Sequence, residues 1–345
     1  MTVFENPFYD DHELVVFARD ARAALRGVIA VHDSSPFGMA GGGLRIWPYT
    51  DEAAAVTDVL RLSRAMSYKL ALANLPAGGA KMVVIADPRT DKTPELLRAI
   101  GRAVEALKGR FVVGTDVGSD DADLEVIRKE TVFTSRAEPG HDTGWSTAHG
   151  VYAAIRWIAE RRLERASLDG LGVTVQGVGH VGEVLARLLA EDGARLVVGD
   201  VDDARARTVA DATGATLADP DRLIDVECDI FAPCALGDVV GPATIDRLRC
   251  RAVVGSANNP LTADAVADDL AARGIAYVPD FLASMGGVIG AAPDANATEA
   301  RRAEKPRAQV RAALDEAAAL ASERGLSLHA AVATLAREKL AKRRR

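Results

Sequence analysis

The stretch from Gly172 to Asp200 leaves this chain little choice of fold. Gly172 to Gln176 is a short β-type run, followed at once by Gly177-Val178-Gly179-His180-Val181-Gly182. Val181, Val184, Leu185, Leu188 and Leu189 then recur at helical spacing, and a second strand, Arg195 to Gly199, ends in Asp200. Strand, glycine turn, helix, strand and acid in that order are the context in which a Gly-x-Gly-x-x-Gly turn holds a dinucleotide. Gly177 permits the tight turn, Gly179 lets a pyrophosphate approach the backbone, and Gly182 lets the helix pack on its strand. The helix start, with Val178, His180 and Val181, offers N–H groups and a positive dipole to phosphate. Asp200 is placed to accept the ribose hydroxyls. A carboxylate there repels a 2′-phosphate, so NAD is expected over NADP.

Further alternation extends this unit into a doubly wound parallel sheet, an α/β fold over residues 146–320. Strands are expected at 215–217, 230–232, 252–254 and 275–278, with a helix at 262–272. Ligands in such sheets lie beyond the carboxyl ends of the strands. The segments leaving those ends carry Cys234, Ala235 and Leu236, then Ala257, Asn258 and Asn259, then residues 279–287. Asn258 and Asn259 would suit a nicotinamide carboxamide. Asparagine as turn chemistry ahead of Pro260 is the competing reading for each.

The first half reads as a second α/β domain, residues 1–140, with strands at 14–18, 27–32, 41–46 and 111–114. A long helix, Asp51 to Asn74, places Ala55, Val59, Leu62, Met66, Lys69 and Ala73 on one stripe. A lysine in an apolar stripe either extends to water or meets a partner, since an unpaired buried ammonium is costly. Lys81 follows Gly78-Gly79-Ala80 and opens the apolar run Met82-Val83-Val84-Ile85-Ala86. Two lysines drawn toward apolar surroundings suggest an anion site and a lysine of shifted pKa. Asp116 lies just past the strand 111–114, where a carboxylate suits catalysis. Asp120, Asp121 and Asp123 read as a helix start. The turn-rich segment 138–145 is expected to join the domains, and a C-terminal helix at about 322–345 to pack back on the first.

Composition narrows the function classes. A net charge of −7 disfavours a general nucleic-acid binder, and Cys228, Cys234 and Cys250 form neither an even set nor a Cys-x-x-Cys pair. The six histidines show no metal-ligand spacing, so no metal is expected. No basic-then-apolar leader and no membrane-length apolar run stand out, which points to a cytoplasmic enzyme.

Taken together, these residues resemble the glutamate/leucine/phenylalanine/valine dehydrogenase family. Leu75-Pro76-Ala77-Gly78-Gly79-Ala80-Lys81, running on to Asp87-Pro88, fits the family's active-site signature. The likeness also covers Gly42-Gly43-Leu44-Arg45, Met66-Ser67-Tyr68-Lys69, Gly114-Thr115-Asp116-Val117-Gly118, Pro233 to Gly237, Ala257-Asn258-Asn259 and Gly286-Gly287-Val288. It implies two domains separated by a cleft that closes on substrate, a homo-oligomer, and NAD-dependent reversible oxidative deamination of an L-amino acid to a 2-oxo acid and ammonium. By the same likeness Lys69 binds the substrate α-carboxylate, with Gly42, Gly43 and Met66 around it. Lys81 activates water, Asp116 handles protons on nitrogen, and Thr147 and Asn259 lie near the nicotinamide.

The resemblance also bears on substrate. Glutamate-specific members carry a lysine where this chain has Gly41, and branched-chain members a bulky apolar residue. Gly41, Gly290 and Ala291 are small, so a roomy apolar pocket near Val288 is expected, suited to phenylalanine or tryptophan more than valine. Ser284 replaces the family's usual asparagine, and Pro293 interrupts the expected helix. The rival readings are a 2-hydroxy acid dehydrogenase, for which no His/carboxylate pair stands out, and a non-catalytic NAD-binding relative.

Overall fold

The computed structural model describes residues 2–35, 37–135, 142–292 and 298–344. Residues 138–141 of the expected linker, and Pro293, fall outside them. The chain divides into two compact units, residues 1–137 with 338–345 and residues 138–337.

The first unit contains β1 (Leu14–Asp20), β2 (Leu25–Val31), β3 (Ala40–Trp47), α1 (Glu52–Leu72), β4 (Gly78–Ile85), α2 (Pro94–Glu105), β5 (Phe111–Thr115) and α3 (Asp121–Ile127). Its sheet has the order β1-β2-β4-β3-β5. β2 is antiparallel to β1 and β4, while β3 runs parallel to β4 and β5. Alternation along the strands gives the sheet two apolar faces. Ile29, Leu44, Ile46, Met82 and Val84 pack against Leu96, Ile100 and Leu124 of α2 and α3. Val28, Ala30 and Val83 pack against Val56, Val59 and Leu60 of α1. Burying each of these valine, leucine, isoleucine and methionine side chains contributes about 1.5–3 kcal/mol. Lys81 and Val83 share a parity, so Lys81 belongs to the α1 face. α1 starts where the Asp51 carboxylate accepts the Ala54 N–H, and at its other end Arg343 donates to the Leu70 and Ala71 carbonyls.

The second unit contains α4 (Thr143–Arg162), β6 (Gly172–Gln176), α5 (His180–Glu191), β7 (Arg195–Gly199), α6 (Asp203–Thr213), β8 (Thr216–Leu217), β9 (Ile230–Pro233), β10 (Ala252–Val253), α7 (Val266–Ala272), β11 (Ala276–Tyr277), α8 (Asp280–Ala283), α9 (Gly286–Ala291), α10 (Glu299–Arg324) and α11 (Leu328–Arg343), whose last turn lies in the first unit. The order β11-β10-β9-β6-β7-β8 is parallel throughout, as expected of a doubly wound sheet. The chain reverses direction of travel across the sheet between β9 and β6, which is where such sheets bind ligands. The helix expected from residue 262 starts only at Val266. The Thr262 N–H bonds to the Val240 carbonyl instead, and that bridge holds residues 261–262 extended.

Candidate active site and dinucleotide site

In the first unit, two parallel strands deliver an acid and a base to the same place. Lys81 on β4 is 4% exposed, and its Nζ lies 3.1 Å from Asp116 Oδ1 at the end of β5. Between them runs β3, whose ladder to β4 is made at Gly41 and again at Leu44, with Gly42 and Gly43 in the gap. A Cβ on Gly42 would stand 1.7 Å from the Ala80 carbonyl oxygen. A Cβ on Gly43 would meet the Thr115 carbonyl at 2.6 Å and Lys81 Nζ at 3.2 Å. Glycine therefore lets the ammonium and the carboxylate meet across the strand. The Asp116 turn is pinned by its own N–H donating to Ser119 Oγ, which in turn donates to the Leu44 carbonyl.

Burial lowers the pKa of the Lys81 ammonium, and the neighbouring Arg45 cation adds to this against the pull of Asp116. Burial on its own would raise the Asp116 carboxyl, but Lys81 and Arg45 hold it below the usual carboxylate range. Asp116 is thus an anion at neutral pH beside a lysine that holds its proton less tightly than an exposed one. Lys69 and Met66 are half-buried near the end of α1. Gly41 has open space around the position a Cβ would take.

Motif reading named Arg45 only as part of a glycine motif and did not single out Asp58 or Tyr49. Arg45 Nε donates to Asp116 Oδ2 at 2.8 Å and its Nη1 to Asp58 at 2.9 Å, while Tyr49 OH donates to Asp58 at 2.6 Å. The available signal was parity: Arg45 sits two residues past Gly43, on the same face of β3.

In the second unit, Gly177 has φ +89 at the end of β6, and Gly182 lies against it, where a Cβ would stand 2.0 Å from the Gly177 carbonyl oxygen. Asp200 accepts the Val178 N–H at 2.8 Å and the Asp202 N–H at 2.9 Å, so its carboxylate is fixed beside the turn. Gly179 begins α5 with no side-chain cap, leaving the N–H groups of His180, Val181 and Gly182 to face an anion. His180 is exposed and pairs with Asp142, which also caps α4. Asp200, Ala206, Arg207, Leu217 and Pro220 line a cavity of about 410 Å³ next to the acid.

Cys234 and Ala235 leave β9 beside Gly177, with Leu236 exposed after them. Burial raises the Cys234 thiol, which leaves it a poor nucleophile. Ala257 donates its N–H to the Pro233 carbonyl, and Asn258 and Asn259 follow. Asn259 has φ +50, and Asp280 holds its N–H at 3.1 Å. The Asn259 amide nitrogen and the Gln176 side-chain oxygen are buried with no hydrogen-bond partner, a donor and an acceptor suited to a carboxamide. The Thr147 hydroxyl donates to the Thr143 carbonyl of its own helix and adjoins Gly287.

Three residues expected at the substrate belong to the short helices α8 and α9 or their ends. Ser284 is buried and its hydroxyl donates to the Asp280 carbonyl at 2.6 Å, so that proton is committed to the local helix rather than to a ligand. Val288 is half-buried, and Ala291 is exposed at the last position of α9. Among the described residues no group of His, Cys, Asp and Glu is arranged to hold a metal ion, and no helix is long and apolar enough to cross a membrane.

Comparison with known proteins converges on one family. Residues 13–132 match the Glu/Leu/Phe/Val dehydrogenase dimerisation domain, and residues 198–345 the Glutamate/Leucine/Phenylalanine/Valine dehydrogenase domain. The leucine dehydrogenase of Thermoactinomyces intermedius is 40% identical over 309 residues, 88% of this chain and 84% of that one. The chain belongs to the glutamate/leucine/phenylalanine/valine dehydrogenase family. It is accordingly an amino acid dehydrogenase, an oxidoreductase. The phenylalanine dehydrogenase of the same organism is 42% identical over 298 residues, 85% of this chain and 81% of its own length. The crystal structure of L-tryptophan dehydrogenase from Nostoc punctiforme matches with a TM-score of 0.76 at 38% identity, covering 97% of each chain.

Proposed function

We propose that this dehydrogenase catalyses the reversible, NAD-dependent oxidative deamination of a large apolar or aromatic L-amino acid, with phenylalanine or tryptophan favoured, to its 2-oxo acid and ammonium. The buried Lys81–Asp116 pair carries the reading. A lysine whose proton is easily lost can take one from water attacking an imine carbon, and an adjacent anion can accept and return a proton on the substrate nitrogen. Lys69, near the end of α1, supplies the cation that an α-carboxylate needs. NAD, when bound, accepts the hydride. Asn259 and Gln176 would orient its carboxamide, Thr147 would adjoin the nicotinamide, Gly177 to Gly182 would hold its phosphates, and Asp200 its adenosine ribose.

The substrate preference is supported by the void at Gly41. A glutamate side chain would bring a second carboxylate to a position where this chain places no lysine. The alternative within the family is a leucine- or valine-type specificity. A panel of phenylpyruvate, indolepyruvate and ketoisovalerate, each with NADH and ammonium, separates the two, and a clear preference for ketoisovalerate overturns the aromatic assignment. Gly41→Leu fills the void, so phenylpyruvate kcat/KM should fall about 10- to 100-fold while ketoisovalerate is spared. Equal losses on both substrates would show that residue 41 does not border the side chain.

Cofactor choice is tested separately. With Asp200 fixed by two N–H groups, NADPH should serve at least about tenfold less well than NADH, and Asp200→Ser should narrow the gap. The match of residues 13–132 to a dimerisation domain supports a homo-oligomer, which light scattering would measure.

A further inference from the structure

The site of the proposed reaction contains more charge than the reaction needs. Lys81, Asp116, Arg45 and Asp58 form one unbroken chain of ion pairs on the α1 face of the sheet, at 3.1, 2.8 and 2.9 Å. Their side chains are 5%, 13%, 12% and 21% exposed, so water screens the chain little. Asp116 is shared: one carboxylate oxygen faces Lys81 and the other faces Arg45. Arg45 is shared in turn, using Nε for Asp116 and Nη1 for Asp58. A planar guanidinium holds two carboxylates here through two different nitrogens set at a fixed angle, whereas an ammonium has one nitrogen to share between them.

We infer that Arg45, backed by Asp58, is a positioning residue for the Lys81–Asp116 pair: it fixes the Asp116 carboxylate and balances that anion's hold on the Lys81 proton. With Lys81 charged the four groups sum to zero, and with Lys81 neutral they sum to one negative charge. Without Arg45, a charged Lys81 faces two carboxylates, and the proton is held more tightly. Without the Asp58 charge, a charged Lys81 leaves one net positive charge, and the proton is released more easily. The two substitutions therefore push Lys81 in opposite directions, which general loosening of the site would not do.

The other groups around Lys81 leave this logic intact. Tyr49 donates its hydroxyl to Asp58 and, with its phenol pushed far above the usual range by burial and by Asp58, stays neutral. Lys69 is a further cation on α1 and is unchanged in both variants. The register partner of Lys81 on β2 is Ala30, and His32 on that face lies 3.8 Å from Asp10.

The assignment of a role in turnover rests on the proposed deamination, so the test has one arm that needs no turnover. The chain has eight lysines, so the Lys81 signal in protein carrying ¹³Cε-lysine can be assigned by its loss in Lys81→Arg. Its titration should move up by about one unit in Arg45→Gln and down in Asp58→Asn. The acid limb of kcat/KM against pH for oxidative deamination, the direction in which Lys81 must be neutral, should move the same two ways. Shifts of the same sign in both variants, or no shift in either, overturn the inference. Arg45→Lys keeps the charge but replaces the rigid two-nitrogen fork by a single nitrogen on a flexible stem, so kcat should fall roughly tenfold with the acid limb in place. An unchanged kcat there removes the positioning role. That variant also serves if Arg45→Gln does not fold by circular dichroism. Variants that show the opposite shifts beside a wild type without turnover leave the charge balance standing and overturn the deamination reading.

Discussion

Lys81→Met is expected to lose about 10²–10⁴-fold in kcat for reductive amination, while NADH binding is unchanged. The residues assigned to the dinucleotide lie in the second unit and are untouched by the change. A variant retaining more than about a tenth of wild-type kcat would show that Lys81 is not the base. The same substitution has a stability consequence of known sign. The folded Lys81 pKa is lowered, by burial first and Arg45 second, so the unfolded chain takes up that proton more readily. The lysine therefore subtracts stability at neutral pH, and the cost fades as pH rises toward the ordinary lysine value near 10.4. Methionine, apolar and of similar length, removes the cost, and Asp116 keeps Arg45 as counterion. Lys81→Met should melt no lower than wild type at pH 7, with any advantage gone by about pH 10. Thermal melts at both pH values check this, and a clear loss of stability at pH 7 contradicts it.

Asp116→Asn is the opposite case. The anion that joins two cations disappears, and Lys81 and Arg45 are left facing each other in a buried site. Removing one partner of a buried charge network typically costs about 3–5 kcal/mol, here a drop of roughly 10 °C in Tm. The deficit has a pH signature. Asp116 has a depressed folded pKa, so its contribution is present above the ordinary carboxylate range and is lost only as pH falls through the folded value. Over the neutral range the variable is Lys81, which can relieve the repulsion by shedding its proton. The gap between Asp116→Asn and wild type should therefore narrow from pH 6 to pH 9. A constant gap would mean that Lys81 is already neutral or that the two cations are not coupled. Turnover should fall by about 10²-fold or more, since both the proton carrier and the positioning of Lys81 are lost.

Legibility from the chain alone followed the reach of each interaction. The glycine turn is local: five strand residues, three glycines, a helix and an acid within one βαβ step, so spacing alone singled out Gly177, Gly179, Gly182 and Asp200 as candidates. Lys81 was visible for a similar reason, as a charge opening an apolar strand directly after two glycines. Asp116 was visible as a carboxylate at a strand end. Long-range partners were not. Arg45 and Asp58 are thirteen residues apart on a strand and a helix, and Arg45 and Asp116 are seventy-one apart. No periodicity marks such a pairing, because it exists only once β3 lies beside β5 with α1 over them. Ser284 shows a local bond that its motif did not announce. It stands where the family usually has asparagine, and next to the short helix α8 its buried hydroxyl bonds to the carbonyl four residues back.

By itself, then, the order of residues determined the α/β class and the parallel sheet of the second unit, and singled out the lysine and the acid proposed to carry the chemistry, because strand parity, helix spacing and glycine turns act over a few residues. Only the tertiary structure decided the electrical state of that chemistry. How far Lys81 is desolvated, and how the second oxygen of Asp116 is held, depend on which charges from distant strands are packed together away from water.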